Sequence, residues 1–116
     1  MLNYTKLDPE QVEFVVIADS DEIPDNGRLL VEIDNLPVVI FRIAGALYAI
    51  GDVCSHDDGP LGDGDLEGYD VVCPRHGARF DVRTGKVVTL PAIIDIPAYP
   101  VREVAGNIEL GLPLEQ

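Results

Sequence analysis

All the cysteine and histidine of this chain falls within 23 residues, as Cys54-Ser55-His56 and, sixteen residues further on, Cys73-Pro74-Arg75-His76. Thiolate is a soft ligand and imidazole a borderline one, and both suit transition metals. Two buried thiols and two unrelated surface histidines would be scattered, and here neither residue type occurs anywhere else. Two metal chemistries fit the four residues. A structural zinc site takes two cysteines and two histidines in a closed tetrahedron, but its usual spacing keeps cysteine with cysteine and histidine with histidine. Here each short segment supplies one of each. A [2Fe–2S] centre in which two histidines replace two thiolates on one iron requires that mixture. Each loop then sends its cysteine to one iron and its histidine to the other.

Other chemistries fail on the residues. Asp63-Gly64-Asp65-Leu66-Glu67-Gly68 begins like a calcium loop, but the twelfth position, which should be a bidentate glutamate, is Pro74. Gly59, Gly62, Gly64 and Gly68 do not make the dinucleotide fingerprint, and six acidic side chains between 57 and 70 would repel a pyrophosphate. A Ser-His-Asp triad would need a histidine that the metal reading has already taken.

The elements that position these loops are short. Apolar runs rich in Val and Ile are separated by Gly, Pro, Asn and Asp. Strands are expected at Phe14–Ala18, Leu29–Ile33, Val38–Ile43 and Leu47–Ile50, the last two forming a hairpin across Ala44-Gly45. Shorter strands are expected at Tyr69–Val72, Arg79–Asp81 and Lys86–Val88. Tyr99–Val104 and Ile108–Leu110 make a closing hairpin. Ile23-Pro24-Asp25-Asn26-Gly27 reads as a turn, because proline presets φ and Asn-Gly tolerates positive φ. No window carries a helical stripe. The fold class is therefore all-β, a small antiparallel sandwich or barrel. With 116 residues, 47% of them hydrophobic, one domain is expected over 1–116, with no room for two independent cores.

Composition narrows the partners. The formal net charge is -13, from 21 acidic and 8 basic side chains, which excludes nucleic acid and an anionic membrane surface. Residues 1–70 carry 16 acidic and 3 basic groups, whereas residues 71–116 carry 5 of each. The N-terminal Met-Leu-Asn-Tyr-Thr-Lys lacks the basic and apolar regions of a signal peptide. Val38–Ile50 is interrupted by Arg42 and falls short of the roughly 18 apolar residues of a membrane span. A cytoplasmic location is expected, where structural disulfides are rare.

With these residues in view, the chain resembles the Rieske-type [2Fe–2S] ferredoxins, the electron-carrying components of bacterial ring-hydroxylating dioxygenase systems. The resemblance runs from about Phe14 to Leu110. Cys54-Ser55-His56 with Gly59-Pro60-Leu61 matches the family's first cluster loop. Cys73-Pro74-Arg75-His76-Gly77 with Phe80-Asp81 and Thr84-Gly85 matches the second, and Leu90-Pro91-Ala92 matches the proline loop that covers the cluster. The resemblance implies a Rieske fold with a two-loop cluster-binding subdomain over about 52–92. It also implies one [2Fe–2S] cluster per chain, Cys54 and Cys73 on one iron, and His56 and His76 on the other.

High-potential members carry a loop disulfide, and a Ser and a Tyr two and four residues after the second histidine. Here no cysteine is spare, and the corresponding residues are Ala78 and Phe80, so a low potential is expected. Without a third histidine the chain cannot hold the mononuclear iron of an oxygenase, and it has no flavin or nicotinamide site. The implied role is a monomeric one-electron carrier between a flavin-dependent ferredoxin reductase and a terminal oxygenase, each met transiently. Docking is expected at a tip formed by His56, Pro60, Leu61, His76 and Pro91, flanked by Asp57 and Asp58 on one side and Arg75 and Arg79 on the other. The alternatives are the small subunit of assimilatory nitrite reductase, a Rieske-like protein of iron–sulfur assembly and, from another class, a Cys₂His₂ zinc module.

Overall fold

The computed structural model describes residue 10 and residues 12–53, 60–74, 77–89 and 94–114. Eleven strands and one 3₁₀ turn, Ser20–Glu22, make up the regular structure among them. The central layer is a four-stranded antiparallel sheet of β2 (Arg28–Ile33), β3 (Leu36–Ile43), β4 (Ala46–Gly51) and β9 (Ala98–Tyr99), in that order. On one side lies a three-stranded sheet in which β11 (Asn107–Pro113) is flanked by β1 (Val12–Asp19) and β10 (Val101–Val104). A third sheet, β5 (Leu66–Glu67), β6 (Asp70–Val72), β7 (Arg79–Asp81) and β8 (Val87–Thr89), lies wholly between β4 and β9 in sequence. It is the insertion that carries the second ligand segment.

The apolar run of β3 explains the layering. Val38, Val39, Ile40 and Phe41 are all buried, and successive side chains of a strand point to opposite faces. Val38 and Ile40 join Ala49, Ile108, Leu110 and Leu112 against the β1–β11–β10 sheet. Val39 and Phe41 join Ile50, Leu61, Val71, Cys73 and Phe80 against the inserted sheet. The two apolar clusters are therefore not independent cores. They are the two faces of one strand.

The expected strands are present, with differences that have local causes. β1 extends to Val12–Asp19 and breaks register between Val16 and Ala18. The β2–β3 connection is Asp34-Asn35, both at positive φ (53° and 67°), the conformation of a tight hairpin turn. β5 was not expected, since its two residues sit in a stretch of Asp and Gly. The run Tyr99–Val104 is not one strand. Pro100 divides it, so that β9 pairs with β4 and β10 pairs with β11. The Pro100 carbonyl accepts from Gly111 N at 2.8 Å and holds the corner.

Arg42, at the end of β3, ties the turn and two sheets together. Its Nε donates to the Ile23 carbonyl at 2.6 Å, and Nη2 donates to the Ser20 carbonyl at 3.2 Å and to the Glu103 carboxylate at 2.9 Å. That bond to Arg42 lowers the Glu103 pKa below its ordinary value. Arg42→Ala strips donors from three carbonyls, those of Ile23, Ser20 and Gly45, and should destabilise the fold by about 2 kcal/mol, measured by urea unfolding. Glu103→Gln should fall well short of that, because the carboxylate is exposed. The pKa of Glu103 is lowered on folding, so its contribution is full above the unfolded-state pKa and is lost as pH falls through the folded value. The Gln variant should therefore show a flatter loss of stability in acid than the parent.

Candidate metal centre

Of the four candidate ligands, the structure places Cys73. Cys54, His56 and His76 lie outside the described residues, as do Asp57, Asp58, Arg75 and Pro91. Cys73 follows β6 directly, and its hairpin partner is Ala78. Cys73 N donates to the Ala78 carbonyl at 2.7 Å, and Gly77 N donates back to the Cys73 carbonyl at 3.0 Å. Cys73 and Ala78 thus face each other just beyond the ends of β6 and β7. Gly77 stands at φ +79°, where a side chain would be strained, so the position favours glycine. Cys73 is only 1% exposed and is not in a disulfide. Its neighbours in the cluster of buried side chains include Leu61, Val71, Ala78 and Phe80.

The first loop is defined by its two ends. It leaves β4 at Gly51, where Asp52 N donates to the Pro37 carbonyl at 2.9 Å. The Asp52 carboxylate then reaches across the loop. Its Oδ1 accepts from Leu61 N at 2.8 Å and also from Gly62 N. One carboxylate oxygen thereby links the chain just before Cys54 to the chain at Leu61 and Gly62. On the return leg, Arg28 Nη1 of β2 donates to the Gly62 and Gly64 carbonyls, each at 2.6 Å. Its guanidinium carbon lies 5.0 Å from the centre of the Phe41 ring.

The two loops meet backbone to backbone. Val72 N donates to the Asp65 carbonyl at 2.9 Å. A Cβ on Gly64 would lie 1.9 Å from the Val72 carbonyl oxygen, so only glycine fits there. The residue after Val72 is Cys73, so this contact sets the separation of the first loop's return leg from the second ligand segment. A cavity of about 360 Å³ opens here, lined by Asp63–Asp65, Val72–Pro74 and Gly77. A larger cavity, about 640 Å³, lies by Phe14, Tyr48, Arg83 and Tyr99 and includes none of these loop residues.

This arrangement suits a metal centre held between two loops. A buried thiol stands at the mouth of a rigid hairpin, and the other loop is fixed against that hairpin by main-chain contacts. The structure corrects two parts of the expected docking tip. Leu61 is fully buried and belongs to the core, so it cannot offer a contact surface, whereas Pro60 and Pro74 are exposed. Arg79 is engaged by Glu67 at 2.7 Å. Ala78 and Phe80 are both fully buried in the same cluster as Cys73, and without hydroxyls neither leaves a side-chain polar group to satisfy there. Sequence reasoning missed Asp52, Arg28 and the role of Gly64. The glycines were weighed only for calcium and phosphate, when their use is close backbone packing.

Comparison with known proteins agrees with this geometry. The family model of the Rieske [2Fe-2S] domain matches residues 13–100. The ferredoxin component of the naphthalene 1,2-dioxygenase/salicylate 5-hydroxylase systems of Ralstonia sp is 37% identical over 95 residues, covering 82% of this chain and 89% of that protein. The 3-phenylpropionate/cinnamic acid dioxygenase ferredoxin subunit of Escherichia coli (strain K12) is 39% identical over 97 residues, covering 82% and 90%. Among solved structures, the ferredoxin of carbazole 1,9a-dioxygenase from Nocardioides aromaticivorans IC177 superposes with a TM-score of 0.80 at 31% identity, covering 87% of this chain and 98% of that one.

The contact at Gly64 can be tested directly. Gly64→Ala drives a methyl into the Val72 carbonyl and should destabilise the fold by about 3 kcal/mol, the upper end of overpacking costs. Gly68→Ala meets nothing within 4 Å and suffers only from its φ of +65°, a cost of about 1 kcal/mol. Equal unfolding midpoints for the two variants would contradict the proposed contact.

Proposed function

Because the chain belongs to the Rieske [2Fe–2S] family, as a ferredoxin component of the ring-hydroxylating dioxygenase type, we propose that it carries single electrons from a flavin-dependent reductase to a terminal oxygenase, with Cys54, His56, Cys73 and His76 as cluster ligands. The cofactor is a Rieske [2Fe–2S] cluster. Bound between the two loops, it supplies one one-electron couple. The observation that carries the ligand assignment is Cys73 itself. It is a buried thiol outside any disulfide at the end of β6, three residues before His76 in the sequence and next to the Gly64–Asp65 segment that follows Cys54 and His56 in the chain.

Each part of the chain has a defined task in this reading. Cys54 and Cys73 bind as thiolates, and their two charges cancel the formal +2 of two ferric ions and two sulfides. The histidines bind as neutral imidazoles and hold the total charge near zero, which makes reduction easier than with four thiolates. The apolar surroundings of Cys73 exclude water from the sulfur side. Ala78 and Phe80 withhold two hydroxyl donors that would favour the more negative, reduced form. The whole chain, 1–116, acts as one Rieske domain with its cluster loops at about 52–92. It works in the cytoplasm as a monomer and meets both partners transiently, through the small interfaces usual for redox encounters. No helix among the described residues is long and apolar enough to cross a membrane.

Purified protein should contain two irons and two acid-labile sulfides per chain and give a rhombic EPR signal when reduced. His56→Cys or His76→Cys should lower the potential or abolish the cluster. Stoichiometric zinc in protein made under iron-replete conditions would reject the assignment in favour of a zinc module.

The potential itself should lie towards the low end of the range of roughly -150 to +300 mV known for mixed His/Cys centres. Ala78→Ser combined with Phe80→Tyr should raise it, as read by redox titration of the visible spectrum. A parent midpoint above about +100 mV, in the upper part of that range, would show that the missing hydroxyls do not set the potential.

A further inference from the structure

We propose that Asp52 and Arg28 are positioning residues for the cluster, forming a brace that fixes both ends of the first ligand loop. The inference rests on the ligand reading above and extends it to residues that touch no ligand atom. The brace has two halves. Asp52 lies two residues before Cys54, and its Oδ1 accepts the amides of Leu61 and Gly62 on the far side of the loop. One oxygen thereby ties the chain entering the ligand segment to the chain leaving it. Arg28 comes from another strand and takes hold of the same leaving segment through the Gly62 and Gly64 carbonyls. Gly62 receives both halves, its N–H from Asp52 and its carbonyl from Arg28. A Cβ there would sit 2.8 Å from Leu30 Cδ2 and 3.0 Å from Asp52 Oδ1, so the main chain is pressed against its anchors.

The consequence is a loop whose ends are set by the protein and not by the metal. Arg28 is paired with Phe41 in the β2–β3 register and stacks on that ring, so the anchor is part of the central sheet. The leaving segment next meets Val72, the residue before Cys73. An unbroken chain of contacts therefore runs from β2, through the base of the first loop, to the root of the second. Charged hydrogen-bond partners suit the task, because a carboxylate or guanidinium can serve two main-chain groups at once. A loop held in this way resists opening, and opening is the step by which a cluster would be released.

The test compares the holoprotein with four variants. Cluster loss to an excess of ferrous chelator is followed by visible absorbance, and hydrogen exchange is read by mass spectrometry over residues 60–65. Asp52→Ala should lose the cluster at least tenfold faster than the parent and lose exchange protection over that segment. Asp52→Asn keeps an oxygen in place and should stay within threefold of the parent, a rescue that general destabilisation would not produce. Arg28→Gln should fall with the Ala variant. Asp25→Ala is the control, since its carboxylate accepts the Gly45 amide at 2.9 Å and so joins two turns that carry no candidate ligand, and its release rate should match the parent. Release from Asp52→Ala no faster than from Asp25→Ala, or an Asn variant as leaky as the Ala variant, overturns the proposal. A parent protein without the iron–sulfur chromophore would instead overturn the ligand assignment. Should Asp52→Ala not fold, Arg28→Gln and Asp52→Asn decide the matter by the same two readouts.

Discussion

Burial of β3 on both faces is the constraint from which the rest of the molecule follows. A strand reading Val38-Val39-Ile40-Phe41 cannot present either face to water. At roughly 25 cal/mol per Å² of apolar surface, leaving one face open would forfeit several kcal/mol, comparable with the whole stability of a small domain. One face is covered by the sheet built from the two ends of the chain, and the other by the insertion between β4 and β9. That second cover also carries Cys73, the one candidate ligand that the structure places. Leu61, Cys73, Ala78 and Phe80 pack with Val39 and Phe41 in one cluster of buried side chains. The surroundings of that thiol are therefore made from core.

This economy bears on the electronic properties of the centre. The residues beside Cys73 are chosen for packing, and the choice removes the hydroxyls that high-potential relatives use. A buried serine or tyrosine hydroxyl would need a partner in this setting, and a cluster sulfur is the natural one. With Ala78 and Phe80 no such demand arises. In the proposed reading the same two side chains would fill the core and also leave the centre without hydroxyl donors.

The sequence made the candidate ligands and most strand positions visible, because both are written in residue type and spacing. The four candidate ligands stand out since nothing else in the chain has their chemistry. Val38–Ile43 and Ile108–Leu110 stand out as short β-branched runs between turn residues. What could not be read was anything that depends on approach between distant segments. Pro100 was absorbed into one long strand because a strand changing sheets has no local signature, and it is the proline that marks the corner. Leu61 is expected at the docking tip on the family resemblance, although it is buried against Val39 and Phe41 of β3. Asp52 and Arg28 looked like two more charges on an acidic chain. Their partners are main-chain groups 9 to 36 residues away, and main-chain groups leave no mark in a sequence.

The charge pattern shows how structure can revise a reading based on counts. The second half of the chain is neutral on paper and its basic side chains suggest a cationic flank. Yet Arg79 is held by Glu67, Arg83 by Asp81 and Arg102 by Glu109, each at 2.7 to 2.9 Å. Arg83 and Arg102 also stack on Tyr69 and Phe14. These cations are committed to partners within the molecule, and at a distance each pair presents little more than a dipole. The net charge of -13 therefore acts as a field of one sign, undivided by a basic patch from these three residues. Such a field falls off over about 8 Å at physiological ionic strength, so it steers an approaching basic surface without gripping it. For a carrier that meets two partners in turn, as proposed above, attraction that speeds arrival and adds little to residence would be the useful kind.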